Sequence, residues 1–252
     1  MKNKIDLQKL LNKPTAVFQK FHQQTKNNPT GDMDPNFLWP KTWTRIYYKS
    51  YPRFPKIALP KPKLSHKISL VKAIFERKSS RNFRREKPLP LQQLSTLLGF
   101  SAGLMNINQP KTSRRFYPSA GARYPLELYL ISLNTELPPA IYHYYPVDHL
   151  CEKIRESENL DLKRYFAQDW SNSLFIVLIS AFFLRNIMKY GDRGYREILM
   201  ETGHLGQNIY LISTALHLSC CAIDGFFDNK VNQLLDLDGI NEAVIYCFAI
   251  GK

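Results

Sequence analysis

A run of small residues between two prolines is the segment of this chain best suited to lie against a flat ligand. The run begins with Pro118, Ser119, Ala120 and Gly121, and two arginines at 114–115 precede it. Small side chains let the backbone approach a planar group closely, and arginines suit an anionic group. Leucine alternates with other residue types after the second proline, which predicts a strand behind the turn. We therefore predict that this turn contacts a ligand.

A basic segment earlier in the chain has the residue types of a phosphate site. Arg77, Ser79 and Arg81 alternate, so an extended backbone would project two guanidiniums and a hydroxyl to one side. Lys78 adds a charge beside them. Arginine offers paired planar donors to phosphate oxygens, which predicts phosphate binding here. A solvated basic loop is the alternative for this segment taken alone.

A Lys-Tyr pair, Lys189 and Tyr190, has the functional groups for acid–base chemistry. A side-chain base can remove a proton from a bound ligand. A lysine can act as that base if burial or a neighbouring cation lowers its pKa, and Arg185 and Arg193 are the neighbouring cations. The alternative is a loop with exposed polar tips at the start of a helix.

A further segment, Ile223, Asp224 and Gly225, places a glycine after an apolar run. The glycine would let the backbone come close to a ligand. An ordinary turn between two elements is the alternative.

Together these four segments resemble the motifs of SagB-type dehydrogenases in the nitroreductase superfamily, and the resemblance extends over residues 22–252. It implies an FMN cofactor. In that family the basic segment contacts FMN, the small-residue turn runs along the isoalloxazine ring, and a backbone N–H of the glycine segment faces flavin N5. The Lys-Tyr pair provides the candidate acid and base. The residues so implied are Lys189 and Tyr190 for catalysis, and Arg77, Lys78, Ser79, Arg81, Pro118, Ser119, Ala120, Gly121, Ile223, Asp224 and Gly225 for the cofactor.

Three positions depart from the family pattern. Lys78 replaces the usual second arginine, and His217 and Ser219 replace glycines near the end of a predicted long helix. The local backbone at that helix end is therefore expected to differ. The sequence assigns no role to His204 or His217.

The resemblance implies an α+β, nitroreductase-like fold, with a central, mostly antiparallel sheet flanked by helices and a homodimer that holds the flavin at its seam. It implies oxidation of azoline heterocycles or amino-acid-derived bonds in a modified peptide or related natural product, with a cyclase as a partner in a complex. Two alternatives stay open. One is an NAD(P)H-dependent nitro or quinone reductase, and the other is a non-catalytic flavin-binding scaffold.

Charge and composition limit the partners, compartment and metal sites that we predict. Residues 1–87 hold 21 Lys and Arg against 5 Asp and Glu, so the first third carries the whole basic excess. A solvated basic face is the simpler interpretation, and we predict neither nucleic-acid nor membrane binding.

The N-terminus lacks the apolar core of a signal peptide, and the four cysteines show no metal-ligand spacing, which favours reduced thiols in a cytoplasmic protein. Glu201, His204 and Asn208 share a helix face, but no matching set exists elsewhere, so no metal is predicted.

The element pattern predicts two units: a basic, aromatic- and proline-rich extension over 1–62, and a flavin-binding domain over 63–252. In the extension we expect a helix over 6–21 and aromatic residues that pack on the body of the protein or on a partner. In the domain we expect Leu70, Val71 and Ile74 to face inward from a first helix. The predicted elements are helices over 70–76, 91–102, 148–168 and 193–217, and strands over 126–133, 141–145, 174–183 and 243–250.

Overall fold

An antiparallel sheet organises the protein in the computed structural model, which describes residues 17–26, 46–64, 68–158 and 160–252. The sheet has seven strands in the order β1-β4-β3-β2-β5-β7-β6, and every neighbouring pair is antiparallel. The predicted antiparallel sheet is thus confirmed. The strands are β1 Lys56–Ala58, β2 Leu126–Ser132, β3 Ala140–Tyr145, β4 Leu150–Glu156, β5 Phe175–Phe182, β6 Ser219–Ile223 and β7 Glu242–Gly251.

Helices cover both faces of this sheet. Buried leucines of α3 and apolar residues of α5 pack on one face, and α6 packs on the other with the chain around 160–170. Alternate residues of β5 enter the two cores, which explains why nearly the whole strand is buried. The helices are α1 Val17–Gln24, α2 Leu70–Glu76, α3 Leu91–Ala102, α4 Leu184–Tyr190, α5 Arg193–Ala215 and α6 Asp228–Leu234. None of the helices in the described ranges is long and apolar enough to cross a membrane.

Several elements have the predicted bounds. Helices α2 and α3 agree at both ends, and α3 begins after Pro90 and ends at Gly103, as the prolines and the glycine indicate. Strands β2, β3, β5 and β7 and the long helix α5 lie where they are predicted, within two residues at each end. All four cysteines are free and buried, in agreement with the predicted thiols.

Two predictions about these elements are wrong. The region 148–168 is not helical, because β4 pairs with both β3 and β1 and only Leu162–Arg164 forms a short 3-10 turn. The apolar face of α2 does not face inward: Leu70 is 69% exposed and Ile74 is 53% exposed, and only Ala73 is buried. Pairing between distant strands overrides local helical tendency in the first case. In the second, no other element of the described chain covers the apolar face.

The N-terminal extension takes part in the main sheet. Its strand β1 pairs with β4, so the predicted boundary at residue 62 falls just after a strand of the same sheet. Two of its aromatic side chains contact the body of the protein, as predicted: the Tyr51 hydroxyl lies 3.1 Å from the Tyr129 hydroxyl, and the Tyr48 hydroxyl donates to the Pro110 carbonyl. The aromatic residues at 37–43 lie outside the described residues. Of the predicted helix over 6–21, residues 17–21 belong to α1, which ends at Gln24, and residues 6–16 lie outside the described residues.

Candidate active site

The small-residue turn has a backbone that few residue types adopt. Gly121, Ala122 and Tyr124 have φ values of 56°, 53° and 46°. The Tyr124 N–H donates a 2.9 Å hydrogen bond to the Ser119 hydroxyl, which closes the turn. A Cβ on Gly121 would collide with the Tyr190 hydroxyl and would lie 2.7 Å from Lys189 Nζ. A side chain at this position would therefore be strained by φ and would displace the ends of Lys189 and Tyr190.

The Lys-Tyr pair lies at the end of helix α4 and faces this turn. The two side chains are half-buried, and Lys189 Nζ lies 5.2 Å from the centre of the Tyr190 ring. Helix α4 ends at Gly191, whose φ is 56°. Two segments that are far apart in sequence, the predicted catalytic pair and the predicted flavin-contact turn, thus meet at Gly121.

A buried carboxyl group lies behind the turn. Glu201 of α5 is 1% exposed, and neither of its oxygens has a hydrogen-bond partner of ordinary geometry among the described residues. Burial raises the pKa of Glu201 to about 8, although the Ser119 hydroxyl and the guanidiniums of Arg115 and Arg185 oppose this rise. The group therefore holds a proton at neutral pH. Sequence reasoning placed Glu201 on a helix face but gave it no role.

The basic segment meets the other end of α5. The Ser79 hydroxyl lies 2.8 Å from the Tyr210 hydroxyl, which accepts a 2.8 Å hydrogen bond from the Ala222 N–H. The Arg77 guanidinium lies over the Tyr210 ring, 5.4 Å from its centre. Tyr210 therefore connects the basic segment to β6. Sequence reasoning missed Tyr210, because a tyrosine on a helix gives no sign of which strand its hydroxyl reaches.

A cleft of about 260 Å³ joins the basic segment to the glycine segment. Arg81 and Trp170 line it, and so do Ile223, Asp224 and Gly225. A Cβ on Gly225 would meet only Ala167 Cβ, at 3.4 Å, so the wall is open at this glycine. The predicted alternation holds, because Lys78 lines a different cleft together with Ser80 and His217. Lys78 therefore lies apart from Arg81.

The predicted site residues other than Lys78 thus form two groups, and Lys78 lines a separate cleft. The basic group comprises Arg77, Ser79, Arg81 and 223–225, and it reaches α5 at Tyr210. The turn group comprises 118–121 with Lys189 and Tyr190, and it faces Glu201. Nine helical positions separate Glu201 from Tyr210, which is about 14 Å along the helix axis.

Two histidines lie on helix α5 or just after its end. His204 is exposed on α5, and His217 follows the end of that helix with a φ of 57°. Where the family pattern has glycine, this chain therefore keeps a left-handed backbone with a larger residue. Within the described residues, no three His, Cys, Asp or Glu side chains form a group that could hold a metal ion.

The chain is similar in sequence to two known proteins and in structure to a chain of a solved complex. MJ1384 of Methanocaldococcus jannaschii, which is named as a nitroreductase, is 32% identical over 174 residues, or 68% of this chain and 85% of that protein. The Microcin B17-processing protein McbC of Escherichia coli is 32% identical over 180 residues, or 64% of this chain and 65% of McbC. A chain of the E. coli microcin synthetase McbBCD complex, solved with truncated pro-MccB17 bound, superposes with a TM-score of 0.62 and 25% identity. The superposition covers 100% of this chain and 99% of that chain.

The match to a family model agrees with these relatives. The model described as the Nitroreductase family matches residues 74–252, which contain all four motifs and both groups of site residues. The resemblance found in the sequence is thereby confirmed. The residues that remain outside the match are the N-terminal ones, including β1. This chain belongs to the nitroreductase family and is an oxidoreductase of that flavin-dependent family.

Proposed function

We propose that this protein is an FMN-dependent dehydrogenase that oxidises azoline rings, or comparable amino-acid-derived bonds, in a modified peptide. The observation that carries the proposal is the contact of Lys189 and Tyr190 with Gly121. It places an amine and a phenol beside the turn proposed to bind the flavin ring. The relationship to McbC and to a chain of the McbBCD complex supports a peptide substrate and a synthetase partner.

The residues present fit FMN. The basic group offers two guanidiniums and a hydroxyl, and the missing side chain of Gly225 leaves one wall of its cleft open. We propose that Arg77, Ser79 and Arg81 hold the phosphate and that 118–121 and 223–225 contact the ring. When bound, the flavin supplies the acceptor for a hydride.

The protein's own residues handle the proton. Conversion of an azoline to an azole removes one hydride and one proton from the ring. In the proposed mechanism the Lys189 amine takes the proton from the ring carbon, and the Tyr190 hydroxyl beside it orients the substrate and exchanges protons. Glu201, protonated at neutral pH behind Ser119, keeps negative charge away from this side of the turn.

We further propose a homodimer with the flavin at its seam. The two groups of site residues approach α5 about 14 Å apart. A second copy can therefore present its turn group to the basic group of the first copy. The uncovered apolar face of α2, with Leu70, Val71, Ile74 and Phe75 exposed, supplies surface for such an interface. Light scattering at micromolar concentration is expected to give a dimer, and a stable flavin-loaded monomer would contradict this proposal.

The experiment that tests the function uses a synthetic peptide that carries one thiazoline. Wild-type holoprotein is expected to convert it to thiazole, which mass spectrometry detects as the loss of two hydrogens. Lys189→Ala and Tyr190→Phe should retain FMN but lose about 10²–10⁴-fold in rate. Reduction of the flavin by dithionite, which needs no protein base, should be unchanged.

Other outcomes would identify the alternatives. NAD(P)H oxidation with a quinone, at equal rates in the wild type and both variants, would replace the dehydrogenase with a reductase. Retained flavin without turnover of either substrate would favour the scaffold.

A further inference from the structure

We propose that Glu127 is a positioning residue: by holding Arg185, it fixes helix α4 against the turn so that Lys189 and Tyr190 face Gly121. The inference rests on the proposed function of the Lys-Tyr pair and names what places that pair. Neither Glu127 nor its ion pair belongs to the residues predicted for cofactor or catalysis.

Arg185 connects α4 to the turn through both its side chain and its main chain. Its Nη1 donates to the Tyr124 carbonyl at 2.9 Å and lies 2.6 Å from Glu127 Oε1. Its own carbonyl accepts a 3.0 Å hydrogen bond from Arg123 Nε. Arg185 is also four residues, or about one helical turn, before Lys189. A displacement of Arg185 would therefore move the end of α4 that carries the catalytic pair.

The turn needs this support because its backbone is unfavourable. Ala122 and Tyr124 both have positive φ, although neither is a glycine. Such conformations persist only where surrounding contacts determine them. The Arg185 hydrogen bond to the Tyr124 carbonyl is one such contact, and Ser119 provides another within the turn.

Glu127 is itself held rigidly. It is 1% exposed on β2, and its second oxygen lies 3.3 Å from Nε2 of the fully buried His143. His143 Nδ1 lies 2.9 Å from Glu152 Oε2 on β4. Burial alone would raise the pKa of Glu127, but Arg185, His143 and Arg115 outweigh it and lower the pKa to about 2. The carboxylate thus stays ionised and holds Arg185 by a charge-assisted contact to the sheet.

Glu152 provides a matched control for Glu127. Both carboxylates contact the same buried histidine, and each accepts a backbone N–H from the N-terminal extension, from Lys49 and Tyr51 respectively. Only Glu127 contacts Arg185. Glu127→Gln and Glu152→Gln therefore remove equivalent charges from one network, and they differ in whether the link to α4 is lost.

Hydrogen exchange of the flavin-loaded protein, followed by mass spectrometry, tests the inference. In Glu127→Gln, exchange of residues 184–191 should rise at least about tenfold relative to 91–102, which report global destabilisation. In Glu152→Gln the same ratio should stay within about twofold of wild type. Oxidation of the thiazoline peptide should fall about 10–100-fold in Glu127→Gln with flavin retained, because small misplacements of catalytic groups have effects of this size.

The inference is overturned if both variants change the exchange ratio equally, or if Glu127→Gln leaves the ratio at the wild-type value. If Glu127→Gln does not fold, Arg185→Lys keeps the charge but lacks the guanidinium fork, and it should give the same local increase in exchange. A wild-type ratio in that variant would also overturn the inference. The exchange measurement does not depend on catalysis by Lys189. If Lys189→Ala and Tyr190→Phe oxidise the peptide normally, the proposed function fails, and the positioning role is judged by exchange alone.

Discussion

The two groups of site residues use charge in opposite ways. In the basic group, Arg81 is exposed and Arg77 is half-buried. The neutral hydroxyls of Ser79 and Tyr210 fix its backbone. Around the turn group the charges are buried: Arg115 is 3% exposed, and Glu127 and Glu201 are each 1% exposed. Exposed charges can bind an ionic ligand without a large prior loss of solvation, whereas buried charges need fixed partners. We therefore expect variants of the first group to change ligand affinity, and variants of the buried charges around the second to change local geometry and stability.

The largest effect is expected when the two arginines of the basic group are removed. Arg77→Ala with Arg81→Ala should weaken FMN binding by about 3–6 kcal/mol, since each charge-assisted contact contributes about 1.5–3 kcal/mol. The free energy of unfolding of the apoprotein should change little. Titration of apoprotein with FMN, followed by fluorescence, measures the change in affinity.

Lys78→Ala is the control for this variant. Lys78 carries the same charge in the same segment but lines the other cleft, so its removal should change FMN affinity far less. An equal loss of affinity in Lys78→Ala would show that general positive charge, rather than directed contacts, binds the phosphate.

A second prediction concerns the proton on Glu201. Its ordinary pKa of 4.5 rises to about 8 in the folded protein, so between these values the folded state binds more protons than the unfolded state. The free energy of unfolding should therefore fall as pH rises through this window. Glu201→Gln removes the titrating group and should be more stable than wild type above pH 8, by about 2–4 kcal/mol, with a smaller difference near pH 5.

Urea denaturation across this pH range measures the difference. Glu86→Gln, which removes an exposed carboxylate, controls for the change in net charge. Parallel pH profiles for wild type and Glu201→Gln would contradict a protonated Glu201 behind the turn.

Two glycines sharpen the comparison between the groups. Gly121→Ala places a methyl group against Lys189 and Tyr190 at a positive φ and should lower the free energy of unfolding by about 1–2 kcal/mol. Gly225→Ala meets only an ordinary contact with Ala167 and should leave apoprotein stability within about 0.5 kcal/mol of wild type. Its effect should instead appear in FMN affinity. Thermal unfolding and FMN titration of both variants separate these outcomes, and a stability loss in Gly225→Ala matching that of Gly121→Ala would contradict the distinction.

How far the sequence predicts the fold depends on whether the signal is local. The bounds of α3 follow from Pro90 and Gly103 and from its apolar spacing, all of which lie within the helix or at its ends. Strand β4 was missed because its residues gain their extended conformation from β3 and β1, and β1 lies more than ninety positions away. The exposed apolar face of α2 was assigned inward because periodicity shows that a face is apolar but not what covers it.

The site shows the same limit. The residue types needed for phosphate, ring and proton chemistry are visible in four short motifs, and the fold brings the turn next to Lys189. Their roles in binding and catalysis remain predictions. The network of Glu127, His143 and Glu152 gave no sequence signal, because charged residues that alternate along a strand are normally expected to face solvent. Here the sheet is covered on both faces, and the three side chains are buried together.

The smallest expected effect concerns His217, which follows the end of α5 and lines the same cleft as Lys78. Its φ of 57° is unfavourable for a residue with a Cβ, and the family pattern has glycine at this position. His217→Gly removes the strain but increases the conformational entropy of the unfolded chain, so the net gain in the free energy of unfolding should be about 0.5–1 kcal/mol. His204→Gly, at an exposed position inside the same helix, should lower it by about 0.3–0.5 kcal/mol. Thermal denaturation of the two variants should therefore shift in opposite directions. If both lose stability, the His217 side chain makes a contact that the helix end requires, and its left-handed backbone is not the dominant effect.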